Sequence, residues 1–287
     1  NGDFVYTREG AHAHHRILFH EDITGKEITS HLLDAVKKLK NVRMYEYTTL
    51  LDILCDGSKC CGGIIRWPDG REEQVEADYV ILATGGIGGT YKHSTNFKHL
   101  TGDGVEIARR HNIELKNLDY VQIHPTTLYS DNKEVRSFLI SESVRGEGAR
   151  LYDKNMNRFV DELLPRDLLT QEIYKQMEKD GTDFVWEDLR TIPRDELISH
   201  FPNIIEHCSQ AGYDVFHECI PIVPAQHYFM GGIKVNHNSK TSMDHLYAVG
   251  ETACNGVHGK NRLASNSLLE SLVFAKRAAK EIAGERR

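Results

Sequence analysis

The 287-residue chain has an ordinary composition, with 40% hydrophobic and 27% charged residues and a formal net charge of −7. This negative charge argues against a nucleic acid or an anionic membrane as the main partner. No apolar run approaches the roughly 18 residues of a membrane span, and the opening residues do not resemble a signal peptide. Six cysteines without a CxxC pair are typical of reduced thiols, so the sequence predicts a cytoplasmic protein of one or two domains.

The opening segment is polar and rich in histidine. The chain begins without an initiator methionine, so we expect a processed form or a piece of a longer protein. His12, His14 and His15 stand near Glu9, but no acidic residue or cysteine has a spacing that would complete a metal site. The segment therefore predicts a loop that contacts a cofactor or substrate, with Glu9 as its candidate carboxylate and no metal.

A helix and an antiparallel meander are predicted next. Apolar residues at three- and four-residue steps predict a helix over 24–40. Strands are predicted over 42–45, 48–55 and 59–67, and a further strand ends at Ala77; Asp56-Gly57 provides a hairpin turn.

A glycine-rich segment follows the next strand. The apolar run 77–83 predicts a buried strand, and a Gly-Gly-x-Gly-Gly pattern comes directly after it. Glycines at such a position let the backbone approach a pyrophosphate or ribityl chain, although a flexible loop has the same composition. The position after a buried strand favours a binding site. The residues predicted to contact a cofactor here are Ala83, Thr84, Gly85 and Gly86, with Gly102 and Asp103 before a helix predicted over 105–111.

The middle region supplies candidate catalytic residues. His124 stands at the end of a short predicted strand, which we expect Pro125 to stop. Residues 141–149 are predicted to form a charged, glycine-broken loop with some of its charges directed into a site. Ser141 and Glu142 are its candidate residues.

Arg166 begins a predicted helix that Pro165 opens and that continues through Met177. A cation gains nothing from the dipole at a helix N-terminus. We therefore expect Arg166 to serve another purpose, with a surface arginine as the alternative. One or two further helices are predicted between 193 and 212.

The last region combines a histidine, glycines and an arginine. An apolar strand ends at His227 before Gly231-Gly232, and a strand over 246–249 runs into a glycine-rich loop that carries His258 and Arg262. A helix opens at Asn266-Ser267, and its N-terminus favours an anion or an electron-rich ring. We expect Glu270 in its first turn. The candidate cofactor contacts are Gly250, Glu251, Asn266, Ser267 and Leu268.

The loop before this helix has two interpretations. A tight connection between a strand and a helix has the same glycine pattern, whereas Arg262 and His258 on one short loop favour a site. Arg262 would provide a planar fork for a carboxylate. The wider set of candidates, His124, Glu142, Arg166, His227 and Arg262, is spread along the sequence, which predicts a site assembled between two domains.

These motifs together resemble the succinate dehydrogenase/fumarate reductase flavoprotein family, and the resemblance covers nearly the whole chain. The opening stretch 10–18 and residues 261–270 are most similar to the branch that oxidises L-aspartate. Lys260 departs from the small residue usual there. The motifs are Ala83–Gly86, His124–Thr126, Arg145–Gly148, Pro165–Asp167, His227–Gly232 and His258–Arg262.

The resemblance implies an α/β fold: an incomplete FAD-binding domain of the two-dinucleotide-binding type with an inserted α+β capping domain. The implied boundaries are 1–117 and 229–287 for the FAD-binding domain and 118–228 for the capping domain. The family's N-terminal strand–GxGxxG–helix and its C-terminal helical domain have no counterpart in the sequence. We therefore expect a fragment of a longer protein.

The resemblance also implies an activity and the roles of the site residues. FAD would oxidise L-aspartate to iminoaspartate for the quinolinate step of NAD synthesis, with oxygen or fumarate as electron acceptor and quinolinate synthase as a functional partner. Arg166 would transfer the proton, with Glu142 and His124 as further catalytic residues. The substrate, a C4 dicarboxylate, would contact Glu9, Ser141, His227 and Arg262.

Two alternatives remain open at this point. One is a fumarate reductase or succinate dehydrogenase flavoprotein that does not recognise an amino group; Glu9 and Ala264-Ser265 argue against it. The other is a non-catalytic fragment that cannot bind FAD alone, which the missing GxGxxG segment favours. The sequence leaves the oligomeric state undetermined.

Overall fold

The computed structural model describes residues 6–7, 13–20, 23–132 and 134–285. The chain divides into two compact units, one comprising 1–33, 89–98 and 122–227 and the other 34–88, 99–121 and 228–287. The helices are α1 (Thr24–Lys37), α2 (Asp103–Arg110), α3 (Glu142–Gly146), α4 (Arg166–Asp180), α5 (Arg194–His200), α6 (Pro202–Gln210) and α7 (Asn266–Glu285).

The strands are mostly short, and the four longest ones form two strands of the meander and two adjacent strands of a five-stranded sheet. In chain order they are β1 (Tyr6–Thr7), β2 (Ile17–Leu18), β3 (Thr49–Asp56), β4 (Lys59–Arg66), β5 (Glu72–Glu76), β6 (Val80–Leu82), β7 (Leu115–Lys116), β8 (Val121–Leu128), β9 (Phe138–Leu139), β10 (Arg150–Tyr152), β11 (Val185–Asp188), β12 (Ile220–Phe229), β13 (Gly232–Lys234), β14 (Leu246–Ala248) and β15 (Ala253–Cys254).

The first unit is built on a five-stranded sheet with the order β10-β11-β12-β8-β9. Its core is a single apolar cluster to which the strands contribute Leu151 and Ile222 and the helices α4 and α6 contribute Ile173 and Ile204. Helix α4 follows the extended backbone of Pro165 and ends at Gly181, whose φ of 64° is the left-handed conformation that terminates a helix at low cost. These two ends of α4 determine the position of Arg166, which is the first residue of the helix.

The second unit contains the antiparallel meander β3-β4-β5, the parallel pair β6-β14 and the three-stranded sheet β15-β13-β7. In the parallel pair Val80, Ile81 and Leu82 stand opposite Leu246, Tyr247 and Ala248. Both strands therefore release their following loops at the same edge. In open α/β sheets this edge, at the carboxyl ends of the strands, is where ligands bind.

Most predicted elements are present in the structure, and three are corrected. The predicted strand at 42–45 does not form: its Met44 and Tyr45 are exposed, and within the described ranges no strand pairs with this segment. A short apolar run forms a strand only when a neighbour satisfies its backbone groups.

The second correction concerns Pro125, which was expected to end the strand but lies inside β8. Proline lacks an amide hydrogen, but the residues after it continue the ladder: the Ile140 amide donates to the carbonyl of Thr126 at 3.2 Å, and Thr127 pairs with Leu139. The third correction is the predicted loop at 141–149, where α3 forms with Ser141 as its cap.

Candidate functional site

Arg166 and Glu142 form an ion pair in the first unit. Arg166 Nε donates to Glu142 Oε2 at 2.6 Å, and Arg166 Nη1 donates to Gln122 Oε1 at 3.2 Å. The two ionic side chains are only 13% and 19% exposed. Because Arg166 is the first residue of α4, the helix dipole disfavours its charge, and the carboxylate of Glu142 offsets that cost.

Ser141 holds Glu142 in place through the backbone. Its hydroxyl accepts from the Ser143 amide at 3.3 Å, which caps α3 and makes Glu142 the first residue of that helix. Arg145, one turn later, is buried, and its Nη1 donates to the Glu162 carbonyl at 2.7 Å. Glu142 and Arg145 are thus mostly buried, and they stand on a helix and not on the predicted loop.

His124 and His227 lie side by side on the neighbouring strands β8 and β12. Their ring centroids are 5.4 Å apart in an edge-on arrangement. Burial lowers the pKa of His124 well below its usual value, and the charges of Arg166, His227 and Arg145 lower it further. His124 is therefore a neutral imidazole at physiological pH. The Nδ1 atom of His227 lies 2.8 Å from Thr95 Oγ1.

The sequence did not predict two contacts of these residues, that of Gln122 with Arg166 and that of Thr95 with His227. Gln122 precedes His124 by two positions, so the alternation of strand β8 places both on one face, and this signal was present in the sequence. Thr95 belongs to a segment that meets Gln226 through long-range pairing, where Ser94 Oγ donates to Gln226 Oε1 at 2.7 Å. No local pattern predicts that contact.

The second unit holds the glycine-rich segments. Gly85 and Gly250 follow the ends of β6 and β14 with φ values of 72° and 69°, which side chains rarely allow. Thr84 Oγ1 donates to Thr252 Oγ1 at 2.9 Å and so ties the two loops together. A side chain on Gly104 would collide with Thr84 Oγ1 and come within 3.0 Å of Thr252 Oγ1.

Glu251 and Asp103 occupy the same group of loops. The Phe229 amide donates to Glu251 Oε1 at 2.8 Å, and a side chain on Gly86 would collide with this carboxylate. Burial raises the pKa of Glu251 to about 7. Asp103 begins α2 after Gly102, whose φ is 87°, and accepts from Thr101 Oγ1 at 2.6 Å. Both acids are thus engaged with neighbouring protein groups.

Arg262 is buried on the loop that leads into α7. Its Nη1 donates to Ser267 Oγ at 3.2 Å, and its guanidinium carbon lies 4.9 Å from the ring centroid of Tyr228. The His258 ring meets the same tyrosine edge-on at 5.5 Å. The guanidinium is therefore held by an aromatic face and by the first residues of the helix.

Helix α7 begins at Asn266, followed by Ser267 and Leu268, as the sequence predicts. Glu270 is a correction, because it is the fifth residue of the helix and lies beyond the first turn. Its carboxylate instead accepts from Asn255 Nδ2. Glu9, the predicted carboxylate of the opening segment, lies outside the described residues.

The second unit fits a bound FAD on two observations. Gly85, Gly86 and Gly104 leave the backbone uncovered at the strand edge, where added side chains would be strained or would collide with neighbouring groups. The His258 side chain is 7% exposed, and neither ring nitrogen has a hydrogen-bond partner among the residues that the structure covers; Glu270 Oε2 is 3.9 Å away from Nε2. A buried imidazole in this state has both nitrogens available to the polar atoms of a ligand or to water.

Comparison with known proteins defines the class. A family model described as FAD binding domain matches residues 1–268. The chain superposes on a structure of quinol–fumarate reductase with menaquinol molecules with a TM-score of 0.89 and 34% identity, covering 98% of this chain and 52% of that one. A mutant of E. coli quinol fumarate reductase gives a TM-score of 0.87 and 32% identity, covering 96% and 51%.

Curated relatives are similar over the same range. L-aspartate oxidase of Clostridium perfringens is 52% identical over 278 residues, covering 97% of this chain and 63% of the relative. L-aspartate oxidase of Clostridium acetobutylicum is 48% identical over 282 residues, covering 98% and 65%. The chain thus spans less than two thirds of the length of either protein.

The chain belongs to the FAD-binding domain family of the succinate dehydrogenase/fumarate reductase flavoproteins. The predicted family and fold class, an α/β partial FAD-binding domain with a capping domain, are confirmed, and FAD is the cofactor that the family indicates. None of the helices in the described ranges has the length and apolar character of a membrane span.

Proposed function

We propose that the chain acts in the FAD-dependent oxidation of L-aspartate to iminoaspartate. The observation that carries the proposal is the Arg166–Glu142 pair, 2.6 Å long and mostly buried, in the unit that also holds the neutral His124. Arginine exchanges protons poorly by itself because its intrinsic pKa is very high. A carboxylate in direct contact provides the proton relay that such a residue needs.

FAD would be held by the second unit. The residues proposed to contact it are Ala83, Thr84, Gly85, Gly86, Gly102, Asp103, Gly250, Glu251, Asn266, Ser267 and Leu268. When bound, the flavin supplies the two-electron chemistry by accepting the hydride that leaves Cα of the substrate. The protein contributes orientation and proton transfer.

The substrate side requires cations and a hydrogen-bonding imidazole. We assign a substrate carboxylate to Arg262, whose planar guanidinium is already oriented by Tyr228. His227, whose ring is oriented by Thr95, donates a hydrogen bond to the substrate in this proposal. Ser141 lies next to Glu142 in the chain and contacts the substrate from the same end of α3. Glu9 reads the amino group in this proposal. Arg166 exchanges the proton that accompanies hydride transfer, and Glu142 receives or returns it at Oε2.

Several finer features belong to the same proposal. Electrons pass to oxygen or fumarate, and the product enters the quinolinate step of NAD synthesis, with quinolinate synthase as a functional partner. All six cysteines are free, which supports a reducing compartment such as the cytoplasm. The division into an FAD-binding domain (1–117 and 229–287) and a capping domain (118–228) is also part of it.

The decisive experiment is an FAD titration of the 287-residue chain, followed by anaerobic addition of L-aspartate or succinate. Saturable quenching of flavin fluorescence and bleaching by L-aspartate, with little bleaching by succinate, is the expected result. Bleaching by succinate in place of L-aspartate would assign the chain to the succinate-type reaction. No FAD binding would mean that the chain alone is a non-catalytic fragment.

A further inference from the structure

In the second unit the Cys55 thiol contacts an imidazole nitrogen and a thioether from distant parts of the sequence. Cys55 Sγ, at the end of β3, lies 3.5 Å from His111 Nδ1 and 3.7 Å from Met243 Sδ. His111 follows the last residue of α2, and Met243 precedes β14. None of these residues belongs to the FAD or substrate assignments above.

The tautomer of His111 is set by a carboxylate. His111 Nε2 lies 2.8 Å from Asp52 Oδ1, and Asp52 is itself held by the Ile53 amide at 2.9 Å and by Arg110 at 3.2 Å. A carboxylate only accepts, so Nε2 carries the hydrogen and Nδ1 presents its lone pair to Cys55. An imidazole with one nitrogen on a carboxylate and the lone pair of the other directed toward a thiol has the arrangement found in metal-binding histidines.

One thiol proton cannot satisfy the two acceptors that face Cys55. The thiol has a single hydrogen, whereas His111 Nδ1 and Met243 Sδ both direct lone pairs toward the same sulfur. A metal bound to sulfur at about 2.3 Å and to imidazole nitrogen at about 2.0 Å keeps neighbouring donors about 3.5–4 Å apart. The two observed separations have this spacing.

The scaffold already holds the donors in place. The Met243 amide donates to Thr241 Oγ1 at 3.1 Å, and the next residue is tied to β4, because the Cys60 amide donates to the Asp244 carbonyl at 2.9 Å. Met243 is 8% exposed, whereas Cys55 is exposed, so an ion has a route from solvent to a partly buried site.

The donor set points to one ion. We propose that Cys55, His111 and Met243 bind a single monovalent copper ion. Thiolate and thioether are soft ligands that favour Cu(I), and a thioether is a poor ligand for harder divalent ions. Binding replaces the Cys55 thiol proton, which is released to solvent, and the oxidation state of copper does not change.

This site differs from metal sites that are built only from histidine, cysteine and carboxylate ligands. Within the described ranges, no cluster of three or more His, Cys, Asp and Glu residues is arranged to hold a metal ion. Here the third donor is a methionine. The ligands also come from three separate segments, so no local spacing in the sequence predicts them.

The test is an anaerobic titration of the reduced chain with Cu(I) in competition with bathocuproine disulfonate. We expect one tightly bound ion. Met243→Leu keeps the side-chain volume and should weaken binding at least tenfold. Met44→Leu removes an exposed thioether and should leave affinity unchanged. Equal affinities for wild type and Met243→Leu would overturn the proposal.

A second measurement separates this site from binding by cysteines alone, since Cys60 is the cross-strand partner of Cys55. X-ray absorption of the copper-loaded chain should show one nitrogen and two sulfur ligands, and Asp52→Asn should weaken binding about 10–100-fold by loosening the orientation of His111. A first shell made only of sulfur, or undiminished affinity in Cys55→Ser, would contradict the assignment.

Discussion

The guanidinium carbon of Arg262 lies 4.9 Å from the ring centroid of Tyr228, the same separation as between Arg277 and Phe274. The two pairs differ in burial, because Arg262 is buried in the loop before α7 whereas Arg277 lies on the exposed side of that helix. A buried arginine held over a ring has less rotational freedom to lose when a ligand binds. This supports the proposal that Arg262 binds a planar carboxylate of the substrate.

Arg262→Lys should raise KM for L-aspartate about 10–100-fold, because lysine keeps the charge but cannot offer a two-pronged fork. Steady-state kinetics of the FAD-loaded enzyme measures this. Arg277→Lys is the matched control and should leave KM unchanged. If both variants behave alike, Arg262 does not bind the substrate.

Arg166→Leu should abolish turnover while FAD stays bound, and Glu142→Gln should lower kcat by about 10²–10⁴-fold, the usual contribution of a proton-transfer group. Glutamine can still accept from Arg166 Nε, so the pair is preserved while the relay is lost. The control is Arg71→Lys, which changes an exposed arginine paired with Asp69.

Rapid-mixing measurements of flavin reduction by L-aspartate separate this chemistry from the reoxidation step. Near-normal reduction rates in Arg166→Leu would remove Arg166 from the proton-transfer role. A loss of FAD in either variant would instead assign the pair a structural role.

Gly104→Ala should weaken FAD binding at least about tenfold, or about 1.4 kcal/mol. The added methyl group would collide with Thr84 Oγ1 and break its 2.9 Å bond to Thr252. The control is Gly284→Ala in α7, where nothing lies within 4 Å of the new methyl group.

Both glycines lie at helix ends, Gly104 as the second residue of α2 and Gly284 as the next-to-last residue of α7, so helix propensity does not separate the two substitutions. FAD titration should show weaker binding in Gly104→Ala and unchanged binding in Gly284→Ala. Thermal unfolding should show a loss of stability only in Gly104→Ala. Unchanged FAD affinity in Gly104→Ala would show that the Thr84–Thr252 contact does not shape the cofactor site.

The sequence predicted those elements whose causes are local. The β3–β4 hairpin was predicted from the turn signal at Asp56-Gly57, although the structure places the turn at Gly57-Ser58 after the paired Asp56. Helix α7 was predicted from an apolar run after a glycine-rich loop. The strand at 42–45 failed because pairing depends on a neighbour, and β8 passed through Pro125 because its ladder does not need that amide.

The residues of the candidate site also depend in part on contacts between distant parts of the chain. The adjacency of His124 and His227 depends on the order of strands in the five-stranded sheet, which no spacing encodes. The sequence named both as candidates because each stands near the end of a predicted strand, but it did not show that they are neighbours. The contact between Thr95 and His227, and the convergence of Cys55 with Met243, join residues more than a hundred positions apart and had no sequence signal.

Glu187 provides a test of the electrostatics of the first unit. It lies on β11 with no exposed surface, and neither carboxylate oxygen has a hydrogen-bond partner among the described residues. Burial raises the pKa of Glu187 to about 8, and the charge of Arg145 opposes part of this increase. The unfolded chain would titrate near the usual glutamate value of about 4.3.

The sign of the pH dependence follows from proton binding. Between pH 4.3 and 8, approximately, the folded state keeps the Glu187 proton and the unfolded state releases it, so the free energy of unfolding falls as pH rises. Glu187→Gln mimics the protonated form. Its advantage in unfolding free energy over wild type should therefore grow by about 3–4 kcal/mol between pH 5 and pH 8, at about 1.4 kcal/mol per pH unit below the folded pKa. Urea unfolding at both pH values measures the difference, with the exposed Glu178→Gln as control. A constant difference between wild type and Glu187→Gln at the two pH values would show that Glu187 is ionised in the folded protein.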